Sequence, residues 1–557
     1  MKKLKIFFTI IILVSISWSQ TFQAGRNGVV VSASKIASDI GIQIMKDGGN
    51  SVDAAVAVSF ALAVIWPEAG NIGGGGFMVI RFPDGSATTI DYREKAPEKA
   101  TSDMYLDSNG DPIPGLSTEG PLAGGVPGTV AGMALAWEKY GLLPWSKLIE
   151  PAIELAENGF SATYHIHKGI KNHYDEMMQY PSTRKMFLPN EEVPQVGDII
   201  KYSDLAETLK RISQEGADDF YRGLTALKLI RGLNANGGII SYNDLKNYRA
   251  IEREPIRFIY RDHEIITMAP PSSGGIVMGQ ILKIVENFPM NHYGFFSTDA
   301  IQKVVEAERF AYANRAKYLG DPAFINNYED ILLSERLNDS LASEIKFNIA
   351  GVSVTTDPVY IPESEQTTHF SIVDKNGLAV SNTTTLNSSY GSCFVVEGTG
   401  ILLNNEMDDF SIKPGEPNQF GLIGSEANSI QPNKKMLSSM TPTIVTKNDD
   451  LKYILGTPGG STIITSVAQT IINLVDFNMD IRRAVHLPRF HHQWFPDKLY
   501  FERYSLNKDL HQALDKMGYQ ITERGSIGDL NAIEIDEQSG IYKGVADNRR
   551  QSAVSTY

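Results

Sequence analysis

Apolar and polar positions run through this chain with two periods, and the places where the period changes mark its elements. "NGVVVSAS" (27–34) is a compact apolar run that reads as a strand. "ASDIGIQIMKDGGNSVDAAVAVSFALAVIWP" (37–67) sets small and apolar residues at helical spacing and predicts two helices, broken at Gly48 and Gly49. "NIGGGGFMVIRFPDGSATTIDYREKAP" (71–97) reads as a glycine turn, a strand over 77–82, a Pro-Asp-Gly turn and a second strand over 87–92. From about 129 to 345 the helical period dominates, as in "GTVAGMALAWEKYG" and "DAIQKVVEAERFAYANRAKYLG". A polar, irregular stretch covers 351–366. Strands then return in "HFSIVD", "LAVSNTTT", "TPTIVTK" and "LKYILG", followed by the helix "SVAQTIINLVDF" and a short mixed tail. Strands at both ends, with helices between and outside them, predict sheets covered by helices in a layered α/β or α+β fold without independent domains.

The segment that opens the second set of strands concentrates hydroxyls. "DKNG" (374–377) between two strand-like runs is a hairpin signal, because Asn-Gly supplies the positive φ angles of tight turns. A four-residue loop sets Thr367 opposite Thr384, and a two-residue turn at Asn376 and Gly377 sets it opposite Leu386. Either register puts the 384–386 stretch across from Thr367, with Thr385 as its expected hydroxyl neighbour. Two readings stand side by side. Threonines are common in strands and bond across them. Alternatively, a break before Thr367 would free an α-amine with a pKa of about 7.7–8.0, able to take the proton of its own hydroxyl.

Composition narrows the classes. The chain has 557 residues, 42% hydrophobic, with 51 basic against 65 acidic side chains and a net charge of −14, which argues against a nucleic-acid partner. Lys2, Lys3 and Lys5 precede an apolar run over 6–14 and a small-x-small site at Ser17 and Ser19. This predicts a cleaved export signal over 1–19 and a mature protein without a stable membrane span, periplasmic or secreted. The single cysteine, Cys393, allows no internal disulfide and reads as a small buried apolar residue.

Several separate motifs, "NIGGGGFM", "DYREKAP", "QTTHFSIVDKNGLAV", "LNNEMDDFS", "PNKKMLSSMTPTIV", "GTPGGS" and "PRFHHQW", occur in order over nearly the whole mature chain. Together they resemble the γ-glutamyltranspeptidases (glutathione hydrolases), N-terminal nucleophile hydrolases with a four-layer αββα sandwich. The resemblance implies an α+β fold formed jointly by a large subunit (20–366) and a small one (367–557). The precursor would cut itself between Gln366 and Thr367, and the two pieces would stay together as a heterodimer.

The same likeness implies roles. Thr367 is the expected nucleophile, Thr385 its hydroxyl partner, and Gly459 and Gly460 the main-chain oxyanion donors. A γ-glutamyl donor such as glutathione presents a free α-carboxylate and α-ammonium. Arg93, Ser438 and Ser439 would donate to the first; Asn387, Glu406 and Asp409 would accept from the second. The segment 413–425 resembles the lid of many bacterial members, with Phe420 where several carry tyrosine. That retains steric cover without a phenol hydrogen bond. No metal or organic cofactor is implied. Acceptors would be water, amino acids or dipeptides.

Other motifs read as structural. His491 and His492 are adjacent, so on a strand they face opposite ways, and no third ligand stands at metal-like spacing. "NIGGGGF" lacks the residues of a phosphate loop and reads as tight backbone packing. His369 shares a strand face with Thr367, and a base role for it is conceivable. Two rivals remain at this stage: an acylase or poly-γ-glutamate-cleaving enzyme of the same fold, and a non-catalytic periplasmic amino-acid-binding protein.

Overall fold

The computed structural model describes residues 21–354 and 367–557. The expected export signal, Gln20 and Gln366 lie outside the described residues. Two seven-stranded sheets face each other. The first runs Ala553–Thr556, Gly28–Ser32, Thr368–Asp374, Ala379–Thr385, Gly75–Arg81, Ala87–Asp91 and Ile251–Arg253. The second runs Phe22–Gly25, Ile541–Ala546, Asn531–Asp536, Asp450–Leu455, Thr443–Lys447, His263–Thr267 and Ile256–Tyr260. Both sheets mix strands from before residue 354 and after residue 367.

The period of two explains the layers, because successive side chains of a strand leave opposite faces. Val29 and Val31 join Val79, Val373, Ile266, Ile444, Ile454 and Ile533 in the apolar layer between the sheets. Val30, Met78, Ile80, Ile372 and Val380 instead face a second core shared with helices such as Ser51–Ile65. Ile265, Val445 and Leu455 meet the helices Gly274–Val285, Thr298–Tyr318 and Thr462–Val475 on the far side. The result is the expected helix–sheet–sheet–helix order. Every residue of Ser51–Ile65 is buried, which is why that stretch lacks a polar stripe. Asn50 and Asp53 cap it, and Ser51 donates to Leu378 O at 2.7 Å, pinning the helix to the hairpin turn.

The hairpin register differs from both expected ones. Thr368 pairs with Thr384 and Val373 with Ala379. Asp374 and Leu378 close a three-residue loop, with Leu378 O accepting from Asp374 N at 3.2 Å. Only Gly377 in this loop is left-handed (φ 82°), while Asp374 Oδ1 accepts from Asn376 N at 2.8 Å. The turn is therefore of the three-residue kind with glycine at the positive-φ position, rather than an Asn-Gly two-residue turn. Continued by one residue, the ladder sets Thr367 against Thr385.

The helical reading of 129–345 also missed a hairpin. Ile256–Tyr260 and His263–Thr267 pair and edge the second sheet. Cys393 is buried, and burial pushes its thiol up to about 12, an inert side chain as expected. No helix among the described residues is long and apolar enough to cross a membrane.

Candidate active site

Thr367 directly precedes Thr368–Asp374, the third of the first sheet's seven strands, and is buried, with its Oγ1 3.4 Å from Thr385 Oγ1. The opposing strand is held from behind. Asn71 donates from Nδ2 to Thr385 O at 2.8 Å and accepts at Oδ1 from Gly74 N and Thr129 Oγ1, both at 2.8 Å. Thr385 Oγ1 accepts from Asn387 N at 2.8 Å. The glycine run beside it is there for space. A Cβ on Gly74 would lie 2.2 Å from Thr385 O, and one on Gly76 2.3 Å from Thr383 O. "NIGGGGF" is thus the tight backbone packing expected of it. Arg550, from the C-terminal tail, donates to Thr367 O at 3.3 Å.

Thr367 and Thr385 open onto a cleft of about 310 Å³. Arg93, Asn387, Asp409, Ser438, Ser439 and Gly460 supply its polar wall. Phe420, Leu422, Met440 and Ile463 supply the apolar one. Of the residues named from the sequence, only Gly459 and Glu406 are not on the wall. Gly459 is the neighbour of Gly460, and Glu406 stands behind Arg93.

Gly459 (φ 139°) and Gly460 (φ 56°) form a turn ahead of the helix Thr462–Val475. A Cβ on Gly459 would lie 2.5 Å from Thr462 Oγ1. Among the described residues neither glycine N–H has a hydrogen-bond acceptor. Successive N–H groups at a helix start make a site for negative charge, which is what an oxyanion requires.

The far end of the cleft is a buried charge cluster. Arg93 Nη1 lies 2.5 Å from Glu406 Oε2 and 3.6 Å from Glu94 Oε2, Nη2 pairs with Asp409, and Nε donates to Met436 O at 3.2 Å. Burial works against the guanidinium charge, and the carboxylates of Glu406, Asp409 and Glu94 overcome it. One cation does not balance three carboxylates. Burial pushes Glu94 up to about 7 despite Arg93, and holds Glu406 well above the usual carboxylate range. Neither Glu94 oxygen has a hydrogen-bond partner from another residue. The arrangement therefore differs from the one drawn from the sequence in one respect: Arg93 spans the acidic residues themselves.

Arg315 was not anticipated. It donates from Nη2 to Ser439 Oγ at 3.3 Å and from Nε to Ser273 Oγ at 2.9 Å, adding a second buried cation beside the serines. It sits within the helix Thr298–Tyr318, far from every motif, and only its burial marks it. Glu94 adjoins Arg93 in "DYREKAP" and was legible there as a second charge. His369, by contrast, lies between the sheets. Its Nδ1 is 2.8 Å from Thr383 Oγ1, its Nε2 is 3.1 Å from Ser371 Oγ, and a Cβ on Gly456 would collide with the ring. Burial takes its pKa to about 3; its ring bonds stay within the first sheet, and its O accepts from Asn531 Nδ2 of the second sheet at 2.8 Å. His491 and His492 are engaged by Thr465, Gln493 and Asp497.

A threonine hydroxyl with a hydroxyl neighbour, main-chain donors beside it, and a two-sign charge cluster at the cleft's other end are the parts that acyl transfer from a compound bearing a free amino-acid end would need. Comparisons with known proteins agree. The family profile described as Gamma-glutamyltranspeptidase matches residues 37–557. The Glutathione hydrolase proenzyme of Escherichia coli (strain K12) is 44% identical over 527 residues, covering 94% of this chain and 90% of that one. The Bacillus subtilis (strain 168) protein of the same name is 38% identical over 552 residues, 95% and 91% of the two chains. Among solved structures, the cephalosporin acylase from Bacillus halodurans superposes with TM-score 0.86 at 26% identity, covering 97% of each chain. The Helicobacter pylori gamma-glutamyltranspeptidase gives 0.57 at 42% identity, over 57% of this chain and 92% of that one. Profile, relatives and fold converge, and the chain belongs to the γ-glutamyltranspeptidase family.

Proposed function

We propose that this protein is a self-processing γ-glutamyltransferase with glutathione hydrolase activity. The observation that carries the reading is the single cleft joining Thr367, next to Thr385, to the Arg93 charge cluster. In the precursor, Thr367 Oγ attacks the Gln366 carbonyl carbon. The C–N bond breaks as the acyl group moves from nitrogen to oxygen. Water then opens the ester, leaving a carboxylate on Gln366 and a free amine and hydroxyl on Thr367. Thr385 orients the hydroxyl for this step. The products are the large (20–366) and small (367–557) subunits, which the shared sheets keep together.

In the mature enzyme the α-amine accepts the Thr367 hydroxyl proton as Oγ attacks the γ-carbonyl carbon of the donor. The N–H groups of Gly459 and Gly460 receive the charge that develops on the carbonyl oxygen. The intermediate collapses with the proton passing to the leaving amine, and the γ-glutamyl group stays on Thr367 as an ester. Water or the amine of an amino acid or dipeptide then takes the acyl group and returns the proton to Oγ. Arg93, Ser438, Ser439 and Arg315 hold the donor's α-carboxylate; Asp409, Glu406 and Asn387 hold its α-ammonium. An acylase acting on plain acyl chains would have no use for this buried two-sign cluster. Phe420 closes the cleft by packing, and the first nineteen residues direct export.

The test is direct. Purified protein should run as two pieces on a denaturing gel, the smaller beginning at Thr367, and should release p-nitroaniline from γ-glutamyl-p-nitroanilide. Thr367→Ala should give one uncut chain and no release. A single full-length band from active wild-type material would overturn the scheme.

A further inference from the structure

Gln493 of the "PRFHHQW" motif links the lid segment to the 459–461 turn. Gln493 is buried, and its Nε2 donates to Phe420 O at 3.0 Å. Its Oε1 accepts from Ser461 Oγ at 2.5 Å and lies 2.8 Å from His491 Nε2. A carbonyl oxygen only accepts, so the amide nitrogen must face Phe420, and the orientation of the side chain is settled by chemistry. His491 then donates from Nε2, and its Nδ1 accepts from Thr465 Oγ1 at 2.8 Å. One amide thus holds two things: the lid backbone, and Ser461, which directly follows Gly459 and Gly460 and begins the helix Thr462–Val475.

The lid around it is a small closed loop. Asn418 Oδ1 accepts from Phe420 N and Leu422 N at 3.0 and 3.1 Å, and Asn418 O accepts from Gly421 N at 2.9 Å. Gly421 is left-handed (φ 68°), and a Cβ there would sit 3.2 Å from Gln493 Nε2, so the close approach needs the glycine. On the opposite side Gln419 N donates to Asp408 Oδ2 at 3.0 Å. The loop is therefore held at two points, by Asp408 and by Gln493, and Gln493 is the one that also reaches the glycine turn.

We infer that Gln493 is a positioning residue with two separable holds: its amide nitrogen keeps the lid over the γ-glutamyl donor, and its amide oxygen keeps the 459–461 turn and its main-chain donors in line. The inference rests on the functional reading above, and it assigns a role to the part of "PRFHHQW" that the chemistry leaves unused. Gln493 is not on the cleft wall, so it acts through Phe420 and Ser461 rather than on the donor.

Two variants of the processed enzyme separate the two holds. Gln493→Glu keeps an acceptor for Ser461 and His491 but sets an oxygen against Phe420 O. Its amides over 420–422 should exchange with deuterium about ten-fold faster than in the wild type, measured without substrate. KM for γ-glutamyl-p-nitroanilide should rise about three- to ten-fold, the worth of one hydrogen bond, with kcat within about two-fold. Gln493→Met, close in size and apolar, loses both bonds. It should show the same lid exchange and a kcat lower by about ten-fold. Wild-type lid exchange in Gln493→Glu, or equal kcat in the two variants, would overturn the inference. The exchange comparison needs no turnover, so an enzyme inert towards the anilide would defeat the functional reading and leave this inference to be decided separately.

Discussion

At the Thr367 end of the cleft, geometry is held by hydroxyls and main-chain groups. Thr385, Asn71 and the glycine N–H pair are fixed by the sheet ladder and by backbone packed too closely for side chains. At the Arg93 end, the buried Glu94 and Glu406 and the part-buried Asp409 surround one guanidinium, with Arg315 and the serine pair beside them. The contrast follows from the tasks. A reacting centre gains from donors that need no reorganisation when charge develops. A recognition end gains from charges that a zwitterionic amino acid complements, and it carries their desolvation when it stands alone. Stability should therefore be sensitive to pH and charge at one end, and catalysis to hydroxyl placement at the other.

Removing the nucleophile breaks the comparison most completely. Thr367→Ala should lower activity by at least about 10⁴-fold while leaving the melting temperature close to wild type. Arg93→Met should strike stability as well as activity. Stripping the carboxylates of their common partner should cost on the order of 3–5 kcal/mol in denaturant unfolding, with kcat/KM down at least about 100-fold. Glu94→Gln sharpens the point. A carboxyl whose folded pKa is raised keeps a proton that the unfolded chain releases, so the native state loses stability as pH climbs from about 4.5 to about 7. The wild type should lose on the order of 3 kcal/mol across that window, and Glu94→Gln should flatten the slope in melting curves recorded against pH. Thr385→Val, nearly isosteric, should slow precursor processing by about ten- to a hundred-fold on a time-course gel, with little change in melting. The smallest effect belongs far from both ends. Gly377→Ala has open space around the new methyl but a φ of 82°, and should cost about 1 kcal/mol in unfolding without touching kcat.

The same division governs what could be read before the structure. Thr367 and Thr385 were legible because a hairpin is local: a turn signal and a period of two suffice to place them together. The register itself was off by one, since Asn376 keeps a negative φ and only Gly377 turns left-handed, a choice invisible in "DKNG". The hairpin of Ile256–Tyr260 and His263–Thr267 was hidden because its short strands lie among helices and take their identity from a sheet edge supplied by Thr443–Lys447. Arg315 and Gln493 were missed as site residues for a related reason. Arg315 has no motif near it and Gln493 sits in "PRFHHQW" with nothing there to reveal its role, and their partners lie 124 and 32 residues away, at Ser439 and Ser461.

Local chemistry settled the strands around Thr367, the helix Ser51–Ile65, the glycine packing and the hydroxyl pair, because periodicity, turn residues and missing side chains act over a few neighbours. Which end of the cleft Arg93 would face, that it would gather three carboxylates rather than stand ready for one, and that a single amide would join lid to catalytic turn were decided by the folded chain alone. Those are relations between segments from 32 to 316 residues apart, and electrostatics in a buried cluster depends on every charge present in space rather than on any one of them in sequence.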